Sequence, residues 1–523
     1  MKKLFRNIFS GYFFVLLLLL IEVLILLFSQ TLLDDLATTI VGNEANDDMV
    51  RVIISLIYLL VKLIVFIVAL IIFFKIINKE EDPEFKIPWI VGMLLLPLFC
   101  SIMFLIFGNH GLRKKDERIV RKTNEAIRLY ARNKYKMDVN AKGAFKYIHA
   151  TTNLYFFEGN RVKYYSKGED FFPEMMEELK KATKFIFIEF FIISEGKLWD
   201  ETLEILKEKA QSGVEVRVIY DDMGCSGTIP SSTPRKLRKL GIKCYKFHPF
   251  RPILSGVYNN RDHRKIVVID GKVGFTGGMN LADEYANIIT RFGYWKDTMV
   301  KIEGNAVKNL STVFLQNYDL CTYKISNYEE YLNIEGDKFD EPGIVMPFGD
   351  GPGGIDDALI GEQTYINILN YAKREVYIST PYLIPTYELL DALRNAALRD
   401  VDVHLIVPGI PDKKLVYKIA QSNFSFLLKA GVKIHTYTPG FNHMKTILAD
   451  DTVALVGTIN FDFRSLVHHF ECGALLYDCP CLNDIKEDFL EMLSVSQEVP
   501  VDFKLSKGTR RLCSLVKLFT PLL

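Results

Sequence analysis

Apolar positions fall into two regimes along the chain. In the first 110 residues they form three unbroken runs, Gly11–Phe28, Val52–Ile77 and Pro88–Phe107. Each is near or above the ~20 residues that cross a bilayer. The pattern predicts N-terminal transmembrane helices over about 11–28, 52–77 and 88–107. Lys2, Lys3 and Arg6 precede the first run, and no small-residue cleavage site comes after it, so it reads as an uncleaved anchor. Glu22 and Lys62 lie near the middle of their runs. A charge there costs about 2.5–3.5 kcal/mol, which pairing of the two, or snorkelling of each, relieves. The basic cluster Arg113, Lys114, Lys115, Arg118, Arg121 and Lys122 argues that the downstream part of the chain is cytoplasmic. Three true spans cannot put both basic ends inside. One run is therefore expected to be re-entrant or interfacial, or one basic end faces outward.

From about Ala150, after a basic juxtamembrane linker over 111–150, short apolar runs alternate with amphipathic stretches. This is the pattern of an α/β fold. Phe185–Ile188, Val214–Tyr220 and Ile242–Phe247 read as strands, and Trp199–Ser212 as a helix. The series then recurs. Val376–Ile378, Val401–Val407 and Ala430–Ile434 echo the three strands about 180–190 residues later. Two domain-sized copies predict a pair of duplicated lobes, 151–335 and 336–503, followed by a tail at 504–523. The join falls in the polar stretch from about Asn327 to Gly354. Its Gly349–Gly354 segment lacks the Gly-Lys-Ser/Thr ending of a phosphate loop and reads as a plain linker. The tail mixes Lys507, Arg510, Arg511 and Lys517 with apolar residues, fitting either a membrane-surface segment or a packed terminal helix.

Composition sharpens this picture. A chain of 523 residues is too long for one ordinary core and calls for two or three units. Apolar residues make up 49% of it, which places part of the chain in lipid. The net charge of +1 gives no global basic field, so nucleic acid is not an expected partner. The eight cysteines are scattered, and Cys479-Pro-Cys481 has no second pair at zinc spacing. Free thiols are expected, with neither metal nor cofactor.

The candidate chemistry lies in a motif that occurs twice. The first copy runs Asp262-His263-Arg-Lys265, then four apolar residues, then Asp270. The second runs Asn442-His443-Met-Lys445, then four residues, then Asp450. The residues after each lysine read as a strand. Histidine and lysine, two apart, then share one of its faces. After each motif comes a turn of small residues and an asparagine, Gly277-Gly278-Met-Asn280 and Gly457-Thr458-Ile-Asn460. Two such half-sites facing each other gather two His, two Lys and two Asn, a set suited to a phosphodiester. Lysines and amides hold the phosphoryl oxygens. One histidine attacks phosphorus, and the other handles the proton of the departing and incoming alcohols. The candidate catalytic residues are thus His263, Lys265, Asp270, His443, Lys445 and Asp450, with Gly278, Asn280, Thr458 and Asn460 in support.

These motifs resemble the phospholipase D superfamily and, within it, the bacterial cardiolipin synthases. The likeness extends to Glu189 in Phe187-Ile-Glu-Phe-Phe191, Tyr220–Gly224, Trp295-Lys-Asp297, Thr380–Pro385, Asn460–Ser465 and Phe470-Glu471. It also takes in Trp89–Gly108 and the terminal Pro521–Leu523. The resemblance implies two pseudo-symmetric phospholipase D-type lobes behind a membrane anchor in the cell membrane. It implies transfer of a phosphatidyl group between two phosphatidylglycerols, giving cardiolipin and glycerol. By the same resemblance the motif aspartates are structural, and Asp297 and Glu471 orient the histidines. We assign His263 as the nucleophile and His443 as the acid/base, although the sequence is symmetric between the two and the reverse order is open. One departure stands out: His468-His469 precede Phe470-Glu471 where the family usually has Leu-Asn. A different acceptor lipid, a hydrolase using the same site, and a non-catalytic lipid-binding protein are the competing readings.

Overall fold

The computed structural model describes residues 17–20, 22, 47–108, 111–132, 143–249, 259–352 and 358–520. The chain divides into two compact units, Met1–His110 with Arg251–Val257, and Gly111–Phe250 with Tyr258–Pro521. The expected span at 11–28 lies outside the described residues apart from 17–20 and 22.

In the first unit, helix α1 (Asp47–Ile77) contains the apolar stretch Val52–Ile77. At 1.5 Å per residue its 26 residues extend about 39 Å. It is the one helix among the described residues long and apolar enough to cross a membrane. Leu56, Leu59, Leu60, Leu63 and Phe66 are more than half exposed, as side chains meeting lipid would be.

The third run does not form a single span. It breaks into α2 (Pro83–Leu95) and α3 (Pro97–Phe107), because Pro97 disfavours helical backbone at Leu96. The two pieces have 13 and 11 residues, about 20 and 17 Å, and neither reaches across ~30 Å of hydrocarbon. They fold back on each other. The Trp89 and Phe104 rings meet edge-on at 5.4 Å. Gly92 faces Cys100, whose Sγ would lie 2.7 Å from a Cβ at that position.

A Glu22–Lys62 pair is not formed. Glu22 accepts the backbone N–H groups of Leu98 and Phe99 at 3.0 and 2.5 Å, while Lys62 Nζ lies 4.4 Å from the Tyr58 ring. The break at Leu96 explains this, since it exposes the first N–H groups of α3 and a carboxylate satisfies them at the positive end of the helix.

In the second unit, the stretch expected as a linker holds two helices, α4 (Lys114–Arg132) and α5 (Gly143–Thr152). Ile119, Thr123 and Ile127 are buried at helical spacing on α4, so this segment belongs to the packed body.

The first lobe comprises β1 (Phe157–Glu158), β2 (Arg161–Tyr165), α6 (Gly168–Lys181), β3 (Phe185–Phe190), α7 (Lys197–Gln211), β4 (Glu215–Asp221), α8 (Thr233–Lys239), β5 (Lys243–Phe247), β6 (Lys265–Ile269), β7 (Val273–Gly277), β8 (Tyr294–Lys296), β9 (Met299–Glu303) and α9 (Val307–Thr322). The second runs β10 (Ile344–Asp350), α10 (Ile360–Tyr371), β11 (Glu375–Ser379), β12 (Leu383–Ile384), α11 (Tyr387–Leu398), β13 (Asp402–Pro408), α12 (Lys414–Leu428), β14 (Lys433–Tyr437), β15 (Gly440–Asn442), β16 (Thr446–Ala449), β17 (Val453–Gly457), β18 (Phe461–Asp462), β19 (Glu471–Tyr477), α13 (Leu482–Ser494), β20 (Ser496–Glu498) and α14 (Lys507–Lys517).

The first sheet has the order β2-β9-β7-β6-β3-β4-β5. The second repeats it as β10-β19-β17-β16-β11-β13-β14, with β1 and β20 added at the edges. Strands β3 and β4 pair in parallel and β3 and β6 antiparallel, and β11, β13 and β16 do the same. All six residues of β3 are buried, as helices on both sheet faces require.

The join departs from its reading as a linker, because Gly349 and Asp350 end β10, a strand inside the second sheet. Asp350 is buried and accepts the N–H groups of Gly351 and Gly361, both at 2.7 Å, which fixes the start of α10. The tail forms α14, which buries Cys513 and leaves Leu512 and Leu515 exposed, as is Phe519 after it. All eight cysteines are free thiols.

Candidate active site

The site forms where each lobe's motif lies along a segment of the other lobe. Strand β15, just before His443, pairs in parallel with β8, just before Asp297. The His443 N–H donates to Lys296 O at 2.7 Å. On the other side Asp262 bridges Phe470, and the His263 N–H donates to Phe470 O at 2.8 Å. The carboxylates are exchanged as a result. His263 Nδ1 lies 2.9 Å from both oxygens of Glu471, and His443 Nδ1 lies 2.6 Å from Asp297 Oδ2. Each histidine is thus oriented by the opposite lobe, and Nε2 of both rings is left for a substrate.

Arginines lock the junction at Asp262 and Phe470. Arg261 grips Asp221 with two nitrogens at 2.8–3.1 Å. Arg264 donates to the backbone oxygens of Glu471, Val313 and Asp350 at 3.0, 2.8 and 3.1 Å.

Burial sets the proton chemistry. It pulls the His263 imidazole down to about 3, with Glu471 opposing, and holds His443 well below the usual histidine range. Burial works to raise Glu471, but the charge and hydrogen bond of His263, with help from His469, keep it far below the usual carboxylate range. Asp297 goes the other way, pushed up by burial to about 6 against the pull of Lys445. Burial lowers Lys265 to about 8 and Lys445 to about 7, with Glu471 and Asp297 respectively opposing.

The lysines sit beside their histidines as their spacing predicts. Lys265 Nζ donates to His263 O at 2.7 Å. Lys445 Nζ donates to His443 O and lies 2.7 Å from His443 Nδ1.

The small-residue turns serve the carboxylates. A Cβ on Gly278 would lie 2.0 Å from Asp297 Oδ1, so only glycine admits that carboxylate. Thr458 instead uses its hydroxyl, donating to Glu471 Oε2. Asn280 is already engaged, accepting from Ile192 N–H at 3.0 Å and donating to the Tyr285 hydroxyl at 2.6 Å. Asn460 is buried, and its Oδ1 has no hydrogen-bond partner among the described residues.

The motif aspartates do not join the cluster. Asp270 accepts the N–H groups of Thr183, Lys184 and Phe185 at 2.7–2.8 Å. Asp450 accepts those of Lys373, Arg374 and Glu375 at 2.8–3.0 Å. Each sits at the far end of its strand, and five residues of β6 alone set Asp270 roughly 17 Å from the histidine end. Their place among the candidate catalytic residues is corrected accordingly: they staple the start of β3 and β11.

Further residues surround the histidines, some of them within the segments that carry the family resemblance. Phe191 and His469 pack their rings on His263, with centroids at 5.0 and 5.6 Å. Trp295, Phe441 and Tyr285 surround His443 at 5.5, 5.5 and 5.6 Å. Glu189 and Asp262 are both fully buried, and burial raises the proton affinity of each carboxyl. At the equivalent register of the other lobe stand Ser379 and Asn442, hydrogen-bonded at 2.8 Å. The lobe repeat matches these positions to each other, by alignment of one copy on the other.

Two lobes of one topology, meeting at paired His-x-Lys motifs, define a protein of the phospholipase D-like class. Residues 175–314 and 365–493 match the family described as cardiolipin synthase, PLD-like domain. An uncharacterised protein of Streptococcus mutans serotype c is 43% identical over 86% of this chain and 98% of its own length. Cardiolipin synthases of Geobacillus sp. (strain WCH70) and Staphylococcus aureus (strain Mu50) are 33% and 32% identical, over 86% and 79% of this chain and 91% and 85% of theirs. The crystal structure of phosphatidylserine synthase from Haemophilus influenzae Rd KW20 aligns over 73% of this chain and all of its own, at TM-score 0.56 and 13% identity, a likeness of fold. The chain belongs to the cardiolipin synthase, PLD-like family.

Proposed function

We propose that this chain is a phosphatidyltransferase that joins two phosphatidylglycerols into cardiolipin and releases glycerol. The observation that carries the reading is the exchange of carboxylates, which sets two buried imidazoles against carboxylates of different proton affinity. Neutral His263, its Nδ1 proton held by ionised Glu471, attacks phosphorus with the Nε2 lone pair. The bond from phosphorus to the glycerol oxygen breaks, and His443 Nε2–H protonates that oxygen. Glycerol leaves. The glycerol hydroxyl of a second phosphatidylglycerol then attacks the phosphohistidine, His443 takes its proton, and the P–N bond breaks to restore His263. Lys265, Lys445 and Asn460 face the charge on the non-bridging oxygens.

The division of roles rests on the carboxylates. Glu471, fully ionised, best supports the cationic phosphohistidine. Asp297 has the higher proton affinity and leaves His443 the readier acid. The reading places the protein in the cell membrane as a multi-pass enzyme, with the catalytic unit on the cytoplasmic side behind Arg113–Lys122.

Purified full-length protein in vesicles of labelled phosphatidylglycerol tests this. Cardiolipin and glycerol in equal amounts are expected. Phosphatidic acid as the main product would make the enzyme a hydrolase. A mixed lipid formed only when phosphatidylethanolamine is added would change the acceptor.

A further inference from the structure

We propose that His263, His469 and Glu471 form an inhibitory site for a transition-metal ion of the zinc class. Glu471 Oε1 lies 2.9 Å from His263 Nδ1 and 3.6 Å from His469 Nδ1, and one ligand atom from each residue falls within 4.8 Å of the others. Zinc bonds of about 2.0–2.2 Å at tetrahedral angles place ligand atoms roughly 3.4 Å apart. Small side-chain rotations close the set, and water supplies the fourth ligand. Two imidazoles and a carboxylate suit zinc over magnesium or calcium.

A second observation points the same way. His469 is 92% buried, and its Nδ1 has no hydrogen-bond partner among the described residues. A buried nitrogen without a partner costs free energy that an ion would offset. The Thr458 hydroxyl already holds the second oxygen of Glu471, as an outer partner of a metal carboxylate does.

The consequence for catalysis is chemical. An ion on His263 Nδ1 uses the lone pair there, so the ring's one proton moves to Nε2. The Nε2 lone pair is then gone, and no nucleophile faces phosphorus. The other half-site cannot do this, because Trp295 holds the place equivalent to His469, its ring 5.5 Å from His443. One ion per chain is expected from this site. The inhibition rests on the transfer reaction proposed above, whereas the binding does not.

The test uses the purified full chain, freed of metal by chelation. It is done in a His404→Asn background, because His404 and His435 lie 3.1 Å apart on neighbouring strands and offer zinc a second place. Equilibrium dialysis against zinc chloride should give one ion per chain, and no tight ion in His469→Asn or His469→Trp. Unfolding temperatures identify any variant that has failed to fold. Zinc should abolish turnover of labelled phosphatidylglycerol reversibly with EDTA. The half-inhibitory concentration should rise at least tenfold in both His469 variants, each measured against its own metal-free rate. Zinc bound or inhibiting equally with and without His469 overturns the proposal, as does a chain that binds none. If the chain proves inactive on phosphatidylglycerol, dialysis still decides the site.

Discussion

At His263 the orienting carboxylate is Glu471, which also receives the Thr458 hydroxyl, and the ring packed beside it is a second imidazole, His469. At His443 the carboxylate is Asp297, which takes the Thr298 N–H at 2.8 Å behind a bare glycine, and the neighbouring rings are Trp295, Tyr285 and Phe441. The backbone frame is the same in both lobes. What differs is polarity. One half-site is lined by hydrogen-bond donors that keep its carboxylate ionised, and the other by apolar rings that raise its carboxylate to about 6. Duplication supplied the pairing, and unequal surroundings allow the two halves separate tasks.

The largest effect should come from removing either histidine. His263→Ala and His443→Ala are each expected to lower turnover of phosphatidylglycerol by ~10³-fold or more. A phosphodiester with a nitrophenol leaving group separates the two, because that group departs without a proton. With it, His443→Ala should still release one equivalent of nitrophenol per chain in a burst, and His263→Ala none. A burst from His263→Ala instead would exchange the assigned roles.

Next come the carboxylates. Asp297→Asn and Glu471→Gln should each lower kcat by about 10²–10⁴-fold, since each replaces the charged acceptor of Nδ1–H by a neutral amide that can also turn a donor toward the ring. Their effects on stability should have opposite signs. Asp297 has its proton affinity raised from 3.8 to about 6. The folded state therefore binds more protons than the unfolded chain across that window, and wild-type stability falls as pH rises through it. Asp297→Asn should raise the unfolding temperature above pH about 6 and leave it unchanged below about 4. Glu471 is held far below its usual 4.5, so its stabilisation is complete above that pH and is lost only as acid protonates it. Glu471→Gln should lower the unfolding temperature at neutral pH, by about 1–3 kcal/mol in stability. Thermal melts at pH 4, 5.5 and 7.5 distinguish the two, and shifts of the same sign would erase the electrostatic contrast.

The turns give a third and smaller comparison. Gly278→Ala places a methyl 2.0 Å from Asp297 Oδ1, so the carboxylate must move by more than an ångström. Misplacement on that scale costs about 10²-fold in rate. At the equivalent position Thr458→Ala removes one hydroxyl donor from Glu471, worth about 1–1.5 kcal/mol, or roughly tenfold. Steady-state kinetics on phosphatidylglycerol vesicles give both numbers. A larger loss at Thr458 than at Gly278 would reverse the order of dependence.

Much of the fold and of the site is legible in the amino-acid order alone. Strands β3, β4, β5, β11 and β13 lie where apolar runs predict them, because strands covered on both faces have no polar side to blur the signal. The histidines and lysines are legible because their spacing repeats. The crossing of Glu471 to His263 and of Asp297 to His443 is not, since it depends on the Asp262–Phe470 bridge and on β8 and β15 pairing between lobes, contacts 208 and 146 residues apart. The third apolar run misleads for a different reason. Hydropathy counts apolar residues and does not register that Pro97 turns the chain at Leu96. Nor does it show that Glu22 is drawn to the helix start this creates. The linker at 111–150 reads as solvated by its charge count, although Ile119, Thr123 and Ile127 of α4 are buried.

The smallest expected effect lies one layer below the histidines. Glu189 and Asp262 in the first lobe occupy the places of Ser379 and Asn442 in the second. Burial raises Glu189 from 4.5 to about 7 and, with the Glu189 charge beside it, holds Asp262 well above the usual carboxylate range, so the pair keeps a proton that the unfolded chain gives up. The folded state again binds more protons than the unfolded chain, so wild-type stability declines as pH rises from about 4.5 to about 7. Glu189→Gln keeps the amide donor and acceptor in place and removes that decline. Its stability relative to wild type, read from the unfolding temperature, should climb across this window, gaining about 1–2 kcal/mol at pH 8, with turnover changed only a few-fold. Ser379→Ala, which removes a neutral hydrogen bond of about 1 kcal/mol, should destabilise equally at every pH. A flat pH response from Glu189→Gln would mean the pair carries no shared proton and that the two lobes differ only at the surface of the site.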